Sequence, residues 1–362
     1  MSDSESSKPA SAEEFLPPVE PPSVGFILQL FVVPAAIVLV IVGVWLSFNW
    51  LIRASKPEDL IQGLQGGGVA RWQRASELAD VLRSNRYPGF KTSPQAASQL
   101  AGILEREIDT AQSGSGMDES AVTLRFFLCR ALGEFQVDAG LPVLVKAATT
   151  DRDPREEFVR RGAIQAIAVL IHNLRQFDPP QEVKSTEFEV KLIILWQDDA
   201  DLIRSEAAYA LGVLGTEGAV EQLEELVEDP YADTRYNAAL ALARQGNVDA
   251  LPVLAEMLDP AEMASVGQEK EEPARYFKRS LIMANALAAI QQLAANTPGA
   301  AFSSVIPALQ TLAEADEDEM QRVGVTRAVI VEAQRTLRMV EGRRQGDKER
   351  GRQGDTEMTN LE

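Results

Sequence analysis

The chain holds one cysteine and one histidine in 362 residues. A single thiol excludes an intramolecular disulfide and a cysteine-built zinc cage. A single imidazole removes histidine-rich metal sites and most His-dependent metal chemistry. Aromatics are scarce at 6%. With Ala, Leu and Val dominant, that scarcity favours close-packed helices over β-sandwiches and barrels. Positive charge is short as well: 35 Lys and Arg face 54 Asp and Glu, a formal net charge of −19. That balance excludes nucleic acid as a partner, because phosphate binding needs a cationic surface. The remainder, 45% apolar and 25% charged, is ordinary for a folded protein and excludes wholesale disorder.

No residue between Pro21 and Ile52 is charged. As a helix, Phe26 to Phe48 would rise ~34 Å, against a hydrocarbon core of ~30 Å. Trp45, Phe48 and Trp50 gather at its C-terminal end, and Pro34 predicts a kink. The sequence therefore predicts a single transmembrane helix at 24–52. A cleaved signal is not expected, since Lys8 is the only base ahead of the run and an h-region is only ~7–15 residues. Arg53, Lys56, Arg71 and Arg74 follow the run. The positive-inside rule then predicts a single-pass protein of a bacterial inner membrane, with the bilayer as a partner through 24–52 and residues 53–362 in the cytoplasm. Residues 1–23, with five acids, one base and much Ser and Pro, are expected to be disordered. So is the tail 342–362, with five bases and five acids.

The rest of the chain repeats. Segments beginning at Asp199 and Pro230 align without a gap at a period of 31 residues. Arg204 matches Arg235, Ala207 and Ala208 match Ala238 and Ala239, Leu211 matches Leu242, and Gly215 matches Gly246. In the second half of each unit Ala219 matches Ala250, Leu223 matches Leu254 and Val227 matches Leu258. Each unit reads as a helix, a Gly-containing turn and a shorter helix. A period of this length built from helix pairs means a solenoid. Divergent copies occur at Val159, Leu124 with Gly140, Arg71 and Ser280, and a last helical stretch runs from Met320 to Val340. The expected fold is all-α: an α-solenoid of helix pairs over 57–341, about six or seven of them, preceded by the transmembrane helix.

Ile203, Arg204, Ala207, Ala208, Ala210, Leu211, Gly212, Leu214 and Gly215 carry a pattern that resembles HEAT-like repeats of the phycobilisome-lyase type. The resemblance implies a fold and little about activity, because such repeats serve lyases, adaptors and scaffolds alike. It also implies that Arg125, Arg160, Arg204 and Arg235 form an inter-repeat ladder, with Asp201 and Asp233 as nearby candidate acceptors.

Candidate chemistry is thin. His172 stands before Asn173 with no nucleophile or carboxylate indicated, and helical-repeat hydroxylases, which bind di-iron through several His-Glu pairs, are excluded by a lone His. Cys129 sits on an apolar helix and reads as a small buried hydrophobe. The acidic runs Asp198-Asp199-Ala200-Asp201 and Glu314–Glu319 lack calcium-loop spacing and read as helix caps. Gly66-Gly67-Gly68 lacks a P-loop lysine, and Gly43-x-x-x-Ser47 is a weak helix-packing signal. No catalytic residue, cofactor or metal ligand is assigned.

The expected function is therefore a single-pass, membrane-anchored scaffold or adaptor for a protein partner at the cytoplasmic face. The alternatives are a structural subunit of a larger membrane complex and a lyase-type enzyme related to bilin lyases. Two insertions break the period, Arg175–Val190 and Asp259–Pro273. They are expected either to be tolerated surface loops or to border a partner site on 199–258, where Glu224, Glu225 and Glu228 would steer a basic surface.

Overall fold

The computed structural model describes residues 24–51, 56–66, 70–84, 86–112, 118–177, 181, 186–297 and 299–342. The ends expected to be disordered, 1–23 and 343–362, lie outside the described residues, as do Gly67 and Gly68 and much of the 175–190 insertion. Two compact units are present, 1–55 and 56–362.

The first unit contains α1 (Val24–Leu51). Among the described residues no helix is long and apolar enough to cross a membrane. The expected span at 24–52, the bilayer as a partner, and the placement of the chain in a membrane with 53–362 in the cytoplasm are corrected on that finding.

The second unit is all-α, with no strand among its described residues. It opens with α2 (Pro57–Gln65), α3 (Arg71–Arg83), α4 (Pro88–Lys91) and α5 (Pro94–Gln112). Pairs of a longer and a shorter helix follow: α6 (Glu119–Gly133) with α7 (Leu141–Thr149), and α8 (Glu156–Arg175) with α9 (Thr186–Ile194). Next come α10 (Asp201–Leu214) with α11 (Glu217–Leu226), and α12 (Ala232–Arg244) with α13 (Leu251–Glu256). The unit ends with α14 (Glu272–Asn296), α15 (Ile306–Ala313), α16 (Glu317–Arg322) and α17, residues 327–342. The longer helices α3, α6, α8, α10, α12 and α14 each pack on the next, forming one layer. The shorter α7, α9 and α11 form the second: α7 packs on α8 and α9, α9 on α10 and α11, and α11 on α10 and α12.

Local sequence explains the repeat. Gly215 and Gly246, one period apart, end α10 and the turn after α12 at φ 58° and 82°, a left-handed conformation that costs a side chain dearly. Proline stands in the first turn of α7, α13 and α15, where its missing N–H is harmless. Leu211 and Leu242 are both fully buried at equivalent positions, as are the Ala207–Ala208 and Ala238–Ala239 pairs. The closest helix approaches recur in register. A Cβ on Gly133 of α6 would sit 2.8 Å from the Ala166 Cα of α8. A Cβ on Gly212 of α10 would collide with the Ala241 Cβ of α12. Glycine facing alanine at these crossings lets the backbones come together, and leucine fills the seam beside them.

Arginines join neighbouring repeats. Arg125 of α6 reaches Glu156, which opens α8, at 3.4 Å, with both side chains buried. Arg160 of α8 forks onto Asp198, just ahead of α10, and Arg204 of α10 grips Asp229, just ahead of α12, at 2.7 and 3.1 Å. Arg204 also bonds the Asp198 and Asp199 carbonyls at 2.9 and 3.4 Å. Arg235 caps the Asp229 and Pro230 carbonyls in the same way, at 2.8 and 3.2 Å. The ladder is real, but its acceptors are not those expected. Asp201 pairs with Arg204 within one helix, at 2.8 Å, and Asp233 is held by Lys278 and Ser265. A residue three positions from an arginine stays on its own helix; crossing to the next repeat takes the acid in the following turn. At Arg235 the ladder stops. Its guanidinium turns back to Glu256 of its own repeat, because the 259–271 insertion displaces the next turn.

Candidate partner-binding surface

Helix α11, which carries Glu224 and Glu225 and is followed in the next turn by Glu228, is built by its apolar side. Ala219, Leu223 and Leu226 of α11 are buried, and the Thr216 hydroxyl caps the helix by accepting from the Ala219 N–H at 3.3 Å. The opposite side is carboxylate: Glu217, Glu221, Glu224, Glu225 and Glu228 are all exposed. None of the five forms an ion pair with a described residue, and Glu224 accepts only from the Asn247 amide, at 2.6 Å. The structure thus brings all three expected residues onto one exposed surface.

Their placement does nothing for the helix itself. Glu217 in the first turn complements the macrodipole, but Glu224 and Glu225 sit in the last turn, where negative charge is unfavourable. Glu217, Glu221 and Glu225 stack at four-residue steps along the helix, and each like-charge pair costs about 0.2–0.5 kcal/mol. A cationic surface laid against α11 would relieve that repulsion. The neighbouring Asp229 is not part of this surface, because Arg204 holds it. The same bond is the first reason that the Arg204 guanidinium is held above its ordinary pKa.

The two insertions differ. Of Arg175–Val190, residues 175–177, 181 and 186–190 are described. The 259–271 segment is no slack loop: Ser265 and Val266 are buried, and the Lys278 ammonium ties the Ser265 carbonyl and the Asp233 carboxylate together at 3.0 Å each.

The remaining candidates find ordinary surroundings. Cys129 is fully buried, and burial pushes its thiol well above the usual range. His172 is exposed, within 3.4 Å of the Gln176 amide. Asp198 accepts from the Ala200 N–H at 3.1 Å and Asp316 caps α16 by accepting from the Glu319 N–H at 2.9 Å. Among the described residues no group of three or more His, Cys, Asp or Glu side chains is placed to hold a metal ion.

Sequence reasoning missed Arg275. It bonds the Glu269 and Lys270 carbonyls at 3.0 and 3.1 Å, the same six- and five-residue steps that Arg204 and Arg235 make. The signal was available: an acid six residues ahead of an arginine recurs as Asp198–Arg204, Asp229–Arg235 and Glu269–Arg275. Also missed was an aromatic cluster on the long-helix layer. Phe126 of α6 stacks on Phe158 of α8 at 4.1 Å and meets Phe127 edge-on at 5.3 Å, while Arg130 lies over both α6 rings.

A family model described as HEAT repeats matches residues 189–265, which span α9 to α13. No curated protein matches the chain. Among solved structures, one engineered protein is 18% identical, over 80% of this chain and 98% of its own, at a TM-score of 0.35. A second engineered protein is 19% identical, over 79% of this chain and 68% of its own, at 0.38. Human deoxyhypusine hydroxylase in complex with glycerol is 18% identical, over 82% and 99%, at 0.28. TM-scores this low transfer neither fold nor chemistry from any of the three. The similarity to HEAT repeats thus rests on residues 189–265.

Proposed function

We propose that this chain is a non-catalytic scaffold that holds a protein partner with a basic surface against the exposed carboxylates of α11. HEAT repeats suit a protein-interaction role, since stacked helix pairs present long side-chain surfaces on a rigid support. The observation that carries the reading is the exposed carboxylate row Glu217, Glu221, Glu224, Glu225 and Glu228, none in an ion pair with a described residue, with Glu224 and Glu225 in the last turn of α11 where negative charge is unfavourable. Electrostatic matching of this kind governs the rate and specificity of encounter and is weakened by salt.

The test is anisotropy of a fluorescein-labelled octalysine peptide with the full chain. Glu224→Lys, Glu225→Lys and Glu228→Lys together should weaken binding at least tenfold. Reversing Glu317, Asp318 and Glu319 on α16, which changes the net charge equally, should weaken it far less. Equal losses from the two triple variants would reduce the effect to overall charge and defeat the proposal.

A further inference from the structure

A second surface carries the opposite chemistry. Where α10, α12 and α14 meet, the long helices leave an open cleft of about 310 Å³, the lower end of the range for ligand sites. Tyr209 of α10 forms one wall, Asn237 and Arg244 of α12 the centre, and Asn285, Ala288 and Gln292 of α14 the other. In a chain of net charge −19, no carboxylate lines this cleft, and Arg244 is its one cation. Arg244 makes no ion pair or hydrogen bond with a described residue; it lies exposed at the end of α12, beside Gly212.

The polar groups around it are also unspent. Asn285 and Gln292 make no hydrogen bond with a described residue, and both are exposed. The Asn237 amide nitrogen donates to the Ser205 carbonyl at 3.0 Å and hydroxyl at 3.1 Å, which fixes the group and leaves its oxygen available. A carboxamide offers a donor and an acceptor together, which is what an extended peptide backbone requires. Asn285 and Gln292 stand two turns apart on α14, ~10 Å along its axis, the rise of about three residues of extended chain. The Ala288 side chain between them leaves room for that chain.

We infer that this cleft docks an extended acidic segment of a partner protein, its backbone on Asn285 and Gln292 and a Glu or Asp carboxylate on Arg244. Arg–carboxylate pairing is bidentate and charge-assisted, so one well-placed guanidinium selects for an acid. The site is separate from the α11 surface and takes the opposite charge.

Two fluorescein-labelled octapeptides, one alternating Glu and Ser and one alternating Gln and Ser, are titrated against the full chain at physiological salt. The acidic peptide should bind at least tenfold more tightly. Arg244→Glu should erase that preference, Arg244→Lys should keep part of it, and Asn285→Ala with Gln292→Ala should weaken both peptides. Should Arg244→Glu fail to fold, Ala288→Trp fills the cleft from an exposed position and should block both peptides. Binding of neither peptide, equal binding of the two, or an acidic preference that survives Arg244→Glu or Ala288→Trp would overturn the proposal. The triple lysine variant on α11 should leave this binding intact, so the two surfaces stand or fall separately.

Discussion

Replacing Gly212 with alanine pits two effects of known size against each other. In an isolated helix the change is favourable by about 1 kcal/mol, because alanine has the higher helix propensity. In this fold the new methyl collides with the Ala241 Cβ of α12 and comes within 3.2 Å of the Arg244 guanidinium. Overpacking of that kind costs about 1–3 kcal/mol, so the variant should be destabilised by up to ~2 kcal/mol net. The nearest obstacle is a side chain, so removing it should help: Gly212→Ala combined with Ala241→Gly should return close to the parent, with a coupling energy of about 1–3 kcal/mol. Gly133 makes the contrast. Its added Cβ would lie 2.8 Å from the Ala166 Cα and 2.9 Å from the Ala166 carbonyl oxygen. Those are backbone atoms, so Ala166→Gly should not rescue Gly133→Ala. Urea unfolding of the full chain reads the parent, the four single variants and the two double variants. If Gly212→Ala is simply stabilising, with no coupling to Ala241, then α10 and α12 do not cross where described and the register is wrong.

Other expectations follow from the same packing. Glu156→Ala should cost about 3–5 kcal/mol, because it leaves the buried Arg125 guanidinium without its main counter-charge; denaturant midpoints measure this. Leu211→Ala should cost about 2–5 kcal/mol and Leu211→Asp more, and unchanged melting of the Asp variant would contradict the repeat register. Burial raises the thiol of Cys129 and the phenol of Tyr236, so the folded chain keeps protons that the unfolded chain releases. Their contribution is complete below the ordinary thiol and phenol values and is lost progressively as pH rises from those values toward the raised folded ones. Stability should therefore fall above pH ~8.5–10, and iodoacetamide should label Cys129 at a rate set by unfolding.

The two best repeats were legible because nothing interrupts them. A gapless 31-residue step puts Leu211 on Leu242 and Gly215 on Gly246, and period alone then fixes helix, turn and helix. The arginine ladder was half legible: its donors repeat within one helix, whereas Asp198 and Asp229 become acceptors only when the next repeat docks. Arg275 escaped because the 259–271 segment shifts it out of period, although its carbonyl caps match those of Arg204. The cleft at Arg244 was invisible, since its walls come from three helices far apart in sequence. The acids of α11 were visible as exposed charge, but their conflict with the helix dipole emerged only once α11 was seen to end at Leu226. The apolar run at 24–52 misled in the other direction: composition set an expectation of a membrane span that no described helix meets.

The central claim is that α11 presents the surface to which a basic partner is held. An octalysine peptide bearing a benzophenone should be photo-cross-linked to the full chain and the attachment sites mapped by mass spectrometry. The account predicts labels concentrated on 217–231 and lost when Glu224, Glu225 and Glu228 are reversed. Labels spread over every acidic stretch, or centred on 314–319 instead, would contradict it.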